Sequence, residues 1–232
     1  MWTRKELKFR GKAAFQRNYW KSVVVGIVVM LLTGAAYSGS AKSSGGFEEF
    51  ESELSAGLTQ SGISPAVFLG VLLGVLGVAM LISFAITLFL RNPVEVGTNR
   101  FFLKNAQEPA SLKELLYAFR SGNYLKIVGA QFLVGLFISL WSLLLVVPGI
   151  IKIFEYLMVG YILADDPDMS AMDALRKSKQ MMKGHKWNAF GLGLSFLGWE
   201  LLGLITFGIL DVFYVRPYVE ATYAELYLAL KQ

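Results

Sequence analysis

The sequence predicts an all-α membrane protein, and three observations carry this prediction. Of its 232 residues, 55% are hydrophobic and 17% are charged, and the mean hydropathy is +0.51. Soluble domains have about a quarter of their residues charged. Long apolar runs recur along the chain, and Lys and Arg are concentrated in alternate links between them. We expect a polytopic protein of six transmembrane helices in three hairpin repeats, each repeat preceded by a cytoplasmic interfacial amphipathic helix.

Six apolar runs are long enough, or nearly so, to span a bilayer, for which roughly 17 to 25 residues are needed. The second run is the most apolar. Its Gly70, Gly74 and Gly77 have a spacing typical of close helix packing, although Gly is also common in membrane helices in general. The first run is marginal, and we expect it to be an uncleaved anchor because a long basic segment precedes it. The predicted spans are residues 19–37, 65–90, 124–147, 149–164, 187–207 and 209–230.

The distribution of Lys and Arg predicts the orientation of these spans. Apart from Lys42, Lys152 and Arg216, every Lys and Arg lies around the amino terminus, the second-to-third link, the fourth-to-fifth link or the carboxy terminus. Cytoplasmic loops carry the excess of basic residues. We therefore expect both termini to be cytoplasmic. The net charge of +5 is explained by these links, and we expect no nucleic-acid partner.

Residues 38–64 form the predicted outer loop, which is rich in Ser, Gly and Glu. In this loop Phe47, Phe50 and Leu54 recur at helical spacing, which favours a short acidic amphipathic helix. Two interpretations stay open. The loop is either a solvated linker or the docking site of a protein partner that uses these three side chains.

Similar amphipathic segments precede the first, third and fifth spans. Each begins with Ser or Thr followed three residues later by an acid, the pattern of a capping box. Each ends in an aromatic residue near a Lys, which suits the level of the lipid headgroups. We expect three copies of one unit, with bounds near 1–107, 108–166 and 167–232. The capping pairs are Thr3–Glu6, Ser111–Glu114 and Ser170–Asp173, and the clearest apolar stripe is Leu112, Leu115, Leu116 and Phe119.

Several stretches are distinctive: "NPVEVGTNRFFL", "VPGIIK", "YILADDPDMSAMDALRKSKQMMKGHKW", and "LSFLGWELLGLITFGIL" followed by "PYVEATYAELY". They resemble the bacterial integral membrane proteins grouped as domain of unknown function 975, over nearly the whole chain. The repeat unit is more distantly similar to the membrane domain of some glycerophosphodiester phosphodiesterases. The resemblance implies a six-helix architecture in the bacterial cytoplasmic membrane. It implies no established activity and no catalytic residues.

Charged residues inside the apolar runs are the candidate functional residues. Glu200 and Arg216 lie equally far before and after a turn expected near Gly208, so we expect them at the same depth, and Glu220 follows Arg216 by one helical turn. Because a lone charge in a bilayer is unfavourable, we expect a buried Glu200–Arg216–Glu220 cluster. The cluster either holds the hairpins in register or binds a lipid headgroup, an ion or a solute. The other hairpins contribute Glu95, and Lys152 with Glu155.

These observations favour a non-enzymatic membrane factor that binds membrane lipids or a protein partner. The alternative is a small transporter or channel subunit whose polar path passes Glu200, Arg216 and Glu220, and an enzyme acting on a lipid headgroup is third. A homo-oligomer is compatible with the sequence. We expect no catalytic residues, no cofactor and no metal, because the chain has no Cys, its single His185 lacks neighbouring ligands, and it lacks the common nucleotide, hydrolase and metalloprotease motifs.

Overall fold

A computed structural model describes residues 2–32 and 64–231, and all regular structure in these ranges is helical. The prediction of an all-α protein is thereby confirmed for the described residues. Phe47, Phe50 and Leu54, the predicted docking residues of the outer loop, lie outside these ranges. The chain divides into two compact units, Met1–Thr33 with Leu88–Gln232, and Gly34–Thr87.

The helices are named here in chain order. They are α1 (Arg4–Arg17), α2 (Tyr19–Leu32), α3 (Pro65–Ile86), α4 (Asn92–Gln107), α5 (Tyr117–Arg120), α6 (Tyr124–Leu144), α7 (Val146–Tyr156), α8 (Val159–Asp165), α9 (Ala171–Met181), α10 (Lys186–Leu194), α11 (Leu197–Ile205) and α12 (Arg216–Lys231). Leu112–Leu116 is a 3-10 helix, and Thr87–Arg91 and Asp211–Val215 are π-helical turns.

Helix α3 is the described part of the smaller unit. It begins at Pro65, and the Oγ of the preceding Ser64 accepts a hydrogen bond from the backbone N–H of Val67 at 3.4 Å. Proline suits the first helical position because its missing N–H would be unpaired there in any case. A Cβ added at any of the three glycines of this helix would meet no atom within 4 Å.

The core of the larger unit lies where α1, α4, α8 and α12 meet. Helix α1 packs along α12, and α4 contacts both α8 and α12. Phe15, Phe101, Ile162 and Tyr227 are completely buried there. The close approach of α1 to α12 requires Gly11, because a Cβ at this position would lie 2.8 Å from Thr222 Cα. Helices α4 and α12, each of which follows a π-helical turn, thus form much of the buried part of this unit.

Two of the three predicted amphipathic segments begin as the capping boxes predict. Thr3 Oγ1 accepts from the backbone N–H of Glu6, and Ser170 Oγ from that of Asp173, both at 3.2 Å. Ser111 differs, since its Oγ accepts from the backbone N–H of Lys113 at 3.4 Å.

The expectation of one α-helical stripe from Leu112 to Phe119 is wrong. The segment is a 3-10 helix over Leu112–Leu116 followed by the short α5. Leu115 is buried, but Leu116 and Phe119 are 46% and 39% exposed. The 3-10 helix has three residues per turn, so side chains spaced for an α-helix do not share one face.

Four segments are long and apolar enough to cross a membrane: Ala66–Gln107, Tyr124–Leu144, Val147–Asp165 and Lys186–Ile205. They overlap the second to fifth predicted spans. Of the first predicted span, the described part is the shorter apolar helix Tyr19–Leu32. The sixth predicted span, which contains the π-helical turn and α12, is not one of the four. The expected number of six spans is therefore not confirmed for the described residues.

Candidate functional site

Two Arg–Glu pairs stand at the start of α4 and α12. Arg91 precedes Glu95, and Arg216 precedes Glu220, by one helical turn in each case. Each pair adjoins a π-helical turn, and Pro93 or Pro217 is the second residue after the end of that turn. Because proline lacks the N–H that would continue the helical ladder, widened turns are favoured at these points. Both pairs thus lie at an irregularity of the backbone.

The structure does not contain the predicted ion pair between Glu200 and Arg216. Arg216 Nε instead donates to Asp211 Oδ2 at 3.2 Å, within the same helical run. Glu200 forms no ion pair with any residue that the structure describes, and its side chain on α11 is exposed. The cause is the π-helical turn, in which residues five apart face each other. This turn brings Asp211 onto the face of Arg216.

Glu220 lies on α12 and Glu95 on α4, and these two helices pack against each other. Glu220 Oε2 accepts a hydrogen bond from Tyr161 Oη at 3.4 Å, and the Arg216 charge acts favourably on Glu220. The Tyr161 ring stacks on Tyr227 with a centroid distance of 5.8 Å. The observed cluster therefore joins α4, α8 and α12, and Tyr161 is a member that the sequence did not reveal.

Lys152 and Glu155 form a second charge cluster. Glu155 is buried, and its carboxylate accepts from Lys152 Nζ at 2.6 Å and from Lys186 Nζ at 2.5 Å. Lys186 begins α10, so this cluster ties α7 to α10. Among the described residues, no hydrogen bond or ion pair connects it to Glu220. The six predicted site residues therefore fall into two clusters and the separate Glu200.

The acidic turn after α8 is occupied by protein contacts. Asp165 Oδ2 accepts from Tyr227 Oη at 2.9 Å and from Lys231 Nζ at 2.6 Å. Asp168 Oδ1 accepts from Asn123 Nδ2 at 2.8 Å. No group of three or more metal-ligating side chains occurs in residues 2–32 and 64–231. This stretch acts as a turn that leads into the Ser170 cap.

Helix α1 makes polar contacts at both of its faces. Arg10 Nη2 forms an ion pair with Glu225 Oε2 at 2.6 Å, and the Glu225 side chain is only 4% exposed. Lys8 Nζ donates to Ser195 O at 3.0 Å and lies 4.1 Å from the centroid of the Phe196 ring. Burial lowers the pKa of the Lys8 amine from its usual value. These contacts attach α1 to α12 and to the break between α10 and α11.

Comparison with known proteins found a family match for part of the sequence. Residues 142–232 match the model of a family described as protein of unknown function (DUF975). The predicted resemblance is confirmed over this segment. Residues 1–141 lie outside the match. A search of curated proteins and a search of solved structures each found no match.

The DUF975 segment contains most of the charged groups described above. Lys152, Glu155, Glu200, Arg216 and Glu220 all lie within it. Glu225 also lies within it, and its ion-pair partner Arg10 precedes residue 142. The charge contacts of the DUF975 segment thus depend on the amino-terminal part of the chain.

Two cavities occur beside these groups. One, of about 10 Å³, lies between Gly26, Phe102, Arg216 and Glu220. The other, of about 420 Å³, lies between the start of α1, the turn after α9 and the end of α12. Trp2, Arg10, Lys183 and His185 line the larger cavity. Sequence reasoning assigned no function to any of them, because residues distant in sequence are combined here only by the fold.

Proposed function

We propose that this protein is a multi-pass protein of the bacterial cytoplasmic membrane that binds membrane lipid or a protein partner and catalyses no reaction. One observation carries the proposal. In the larger unit, large apolar side chains are exposed at one end of helices whose other end is buried. In α6, Ile127 and Ala130 are fully buried, whereas Leu143 and Leu144 are 87% and 74% exposed.

The same division occurs in the last hairpin. Leu201 and Ile205 of α11 are 61% and 72% exposed, whereas Leu226 and Tyr227 of α12 are fully buried. Contiguous apolar surface of this kind is rare on soluble monomers. Lipid tails are as apolar as Leu side chains and would cover such a surface favourably. The exposed helix ends therefore support a bilayer as the surroundings of this protein.

The proposal includes three hairpin repeats and six spans. Each return helix packs against the amphipathic segment that begins the next repeat: α4 against Leu112–Leu116, α8 against α9, and α12 against α1. The last of these contacts joins the two ends of the chain. One rule, by which a return helix packs against the next amphipathic segment, describes all three contacts. In this arrangement α2 and residues 209–230 complete the first and third hairpins.

The proposed orientation has both termini in the cytoplasm. The amphipathic segments carry most of the basic residues, and Lys5, Lys12, Lys113 and Lys179 are exposed. Basic segments at this level interact favourably with anionic lipid headgroups. This distribution supports lipid as one partner. In this orientation the outer loop, with Phe47, Phe50 and Leu54, lies on the opposite side.

The alternative function expected from the sequence is transport along a polar path at Arg216 and Glu220. The cavity beside these residues has about 10 Å³. A cavity needs roughly 10–15 Å³ of this kind of volume to hold one water molecule. In this conformation the site therefore has no room for a larger solute. The small volume of this cavity therefore favours a binding function over transport of a solute.

Native mass spectrometry of the protein, extracted together with its surrounding membrane, tests the proposal. We expect a lipid or a protein of defined mass to remain bound. Liposome flux assays with the unmodified protein and with Glu220→Gln form the second measurement. A bare monomer together with a solute flux that Glu220→Gln abolishes would overturn the proposal in favour of the transporter.

A further inference from the structure

The larger cavity combines basic and apolar side chains. Arg10 and Lys183 supply two positive charges against the single carboxylate of Glu6, and Trp2, Met181 and Leu230 supply apolar surface. The residues come from α1, from α9 with the turn that follows it, and from α12. The cavity of about 420 Å³ falls within the range of small-ligand sites, roughly 300–1,000 Å³. A ligand that fits this lining has an anionic group and an apolar part.

The guanidinium of Arg10 is held in place by a buried partner. Its Nη2 contacts Glu225 at 2.6 Å, and the exposed Glu6 lies at 3.9 Å from its Nη1. A guanidinium has five N–H donors in a rigid planar group. The Glu225 contact uses one edge and fixes the orientation of the rest. Arg10 can therefore donate to a ligand without losing its structural contact.

Lys183 has a different situation, because it is exposed and its amine has no hydrogen bond or ion pair with any described residue. It lies in the turn after α9 beside Gly184, whose φ of 81° is in the left-handed region that favours glycine. This backbone conformation sets the position of Lys183 relative to His185. A free amine at the edge of a cavity that already contains a fixed guanidinium favours an anionic ligand.

Two buried ring nitrogens lie beside this cavity. Trp2 Nε1 and His185 Nδ1 are buried and have no hydrogen-bond partner in the part of the chain that the structure describes. Their rings are 5.8 Å apart. Unpaired buried polar atoms are uncommon and often accompany a site of function. Trp2 and His185 thus add polar capacity next to the two cations.

Exposed aromatic side chains adjoin the cavity residues in sequence. Phe9 precedes Arg10 and is 76% exposed, and Trp187 follows His185 by two residues and is 81% exposed. Tryptophan in particular favours the level of the lipid headgroups. In a membrane protein, the mouth of this cavity would therefore lie where phosphate groups are concentrated.

We infer that this cavity binds the phosphate headgroup of a glycerophospholipid, an inference that rests on the proposed membrane function. Arg10 and Lys183 contact the phosphate, because charge-assisted hydrogen bonds from these groups are the usual means of binding it. Trp2, Met181 and Leu230 contact the glycerol and the first part of the acyl chains. The site is a lipid-binding site at the cytoplasmic end of the helices, separate from the Glu95–Glu220 cluster.

The test compares Lys183→Gln with Lys179→Gln in the full-length protein in detergent. Both changes remove one exposed positive charge near the end of α9, but Lys179 does not line the cavity. Binding of short-chain phosphatidylglycerol is measured by native mass spectrometry. We expect Lys183→Gln to weaken binding about tenfold, the effect of one charge-assisted contact, and Lys179→Gln to leave it unchanged. Equal binding by both variants would overturn the inference.

Competition distinguishes a lipid from a free phosphate compound. If inorganic phosphate or glycerol phosphate displaces the lipid at equal concentration, the site recognises a soluble phosphate compound, and the lipid assignment is wrong. Native membrane patches separate this inference from the proposed function. If the unmodified protein retains lipid there and Lys183→Gln retains as much, the cavity inference fails while the proposed function stands. If no lipid is retained, the cavity inference fails, and a solute flux that Glu220→Gln abolishes would then overturn the proposed function as well.

Discussion

Glu155 forms two ion pairs, with Lys152 at 2.6 Å and with Lys186 at 2.5 Å. Its side chain is 8% exposed. A buried ion pair is weak evidence for stability, because desolvation offsets the attraction between its charges. Removing one partner has a larger effect, because the remaining charges stay buried without compensation. The contribution of Glu155 is therefore visible only when the carboxylate alone is changed.

We expect Glu155→Gln to lower the free energy of unfolding by about 3 kcal/mol, because two ammonium groups lose their common partner. Thermal unfolding in detergent measures this effect. Arg176→Gln is the control, since the Arg176–Asp173 pair is 72% and 59% exposed, and exposed pairs contribute about 0–1 kcal/mol. Equal losses for both variants would contradict a special role of the buried carboxylate.

Arg216 is the second residue whose ion-pair partner can be tested by mutation. The structure pairs it with Asp211 at 3.2 Å, at side-chain exposures of 36% and 31%. A double-mutant cycle of Arg216→Gln with Asp211→Asn should give a coupling energy of about 0.5 kcal/mol or more, since two residues in contact contribute to stability jointly. The same cycle with Glu200→Gln should give a coupling near zero. A larger coupling to Glu200 would restore the pair that the sequence predicted.

At the scale of elements, the contact between α4 and the 3-10 helix Leu112–Leu116 depends on one glycine. A Cβ at Gly97 would clash with Leu115 O and lie 2.6 Å from Leu115 C and 2.9 Å from Glu114 O. These are backbone atoms or part of a backbone carbonyl, so they cannot move aside without displacing the whole segment. Glu114 in turn pairs with Arg100 at 3.1 Å and Lys104 at 2.7 Å on α4.

We therefore expect Gly97→Ala to destabilise the protein by about 1–3 kcal/mol or more through overpacking. Gly129→Ala is the matched control, because a Cβ there meets nothing within 4 Å, and Ala is the better helix former by up to about 1 kcal/mol. Chemical denaturation in detergent, followed by circular dichroism, compares the two. A Gly97→Ala variant as stable as Gly129→Ala would mean that α4 and this segment do not pack as described.

At the scale of the whole molecule, the proposed orientation can be tested by cysteine labelling, since the chain contains no cysteine. Ser55 lies in the predicted outer loop, and Lys179 lies on the exposed surface of α9. We expect a membrane-impermeant maleimide to label the Ser55→Cys variant in intact cells and the Lys179→Cys variant only after permeabilisation. The reverse pattern would invert the orientation. The unmodified protein, which has no thiol, controls for background labelling.

The first and last helices of the chain, α1 and α12, pack against each other. The contact of α12 with α1 joins the DUF975 segment to the first residues, through Arg10–Glu225 and the close approach at Gly11. Stability of the matched segment therefore depends on residues outside it. Large apolar side chains such as Leu143, Leu144 and Ile205 remain exposed at helix ends, and we propose that lipid covers them.

Local features of this protein were predictable from the sequence. The apolar runs contain the four candidate spans, although six spans were predicted, and Thr3 and Ser170 mark the starts of α1 and α9. Each of these depends on residues within a few positions of one another, through helical periodicity or a hydrogen bond to a nearby backbone N–H. Sequence spacing therefore contains the required information.

The charge partners and the larger cavity were decided by the tertiary structure. Spacing suggested Glu200 for Arg216, but a π-helical turn shifted the register and brought Asp211 into contact. Tyr161 and Lys186 joined their clusters from other helices. Arg10 lines the same cavity as Lys183 and His185 because of the tertiary packing of α1 against α12. A Coulomb interaction depends on the distance between the charges in space. The spacing of residues along one helix determines neither the direction of that helix nor its register with its neighbours.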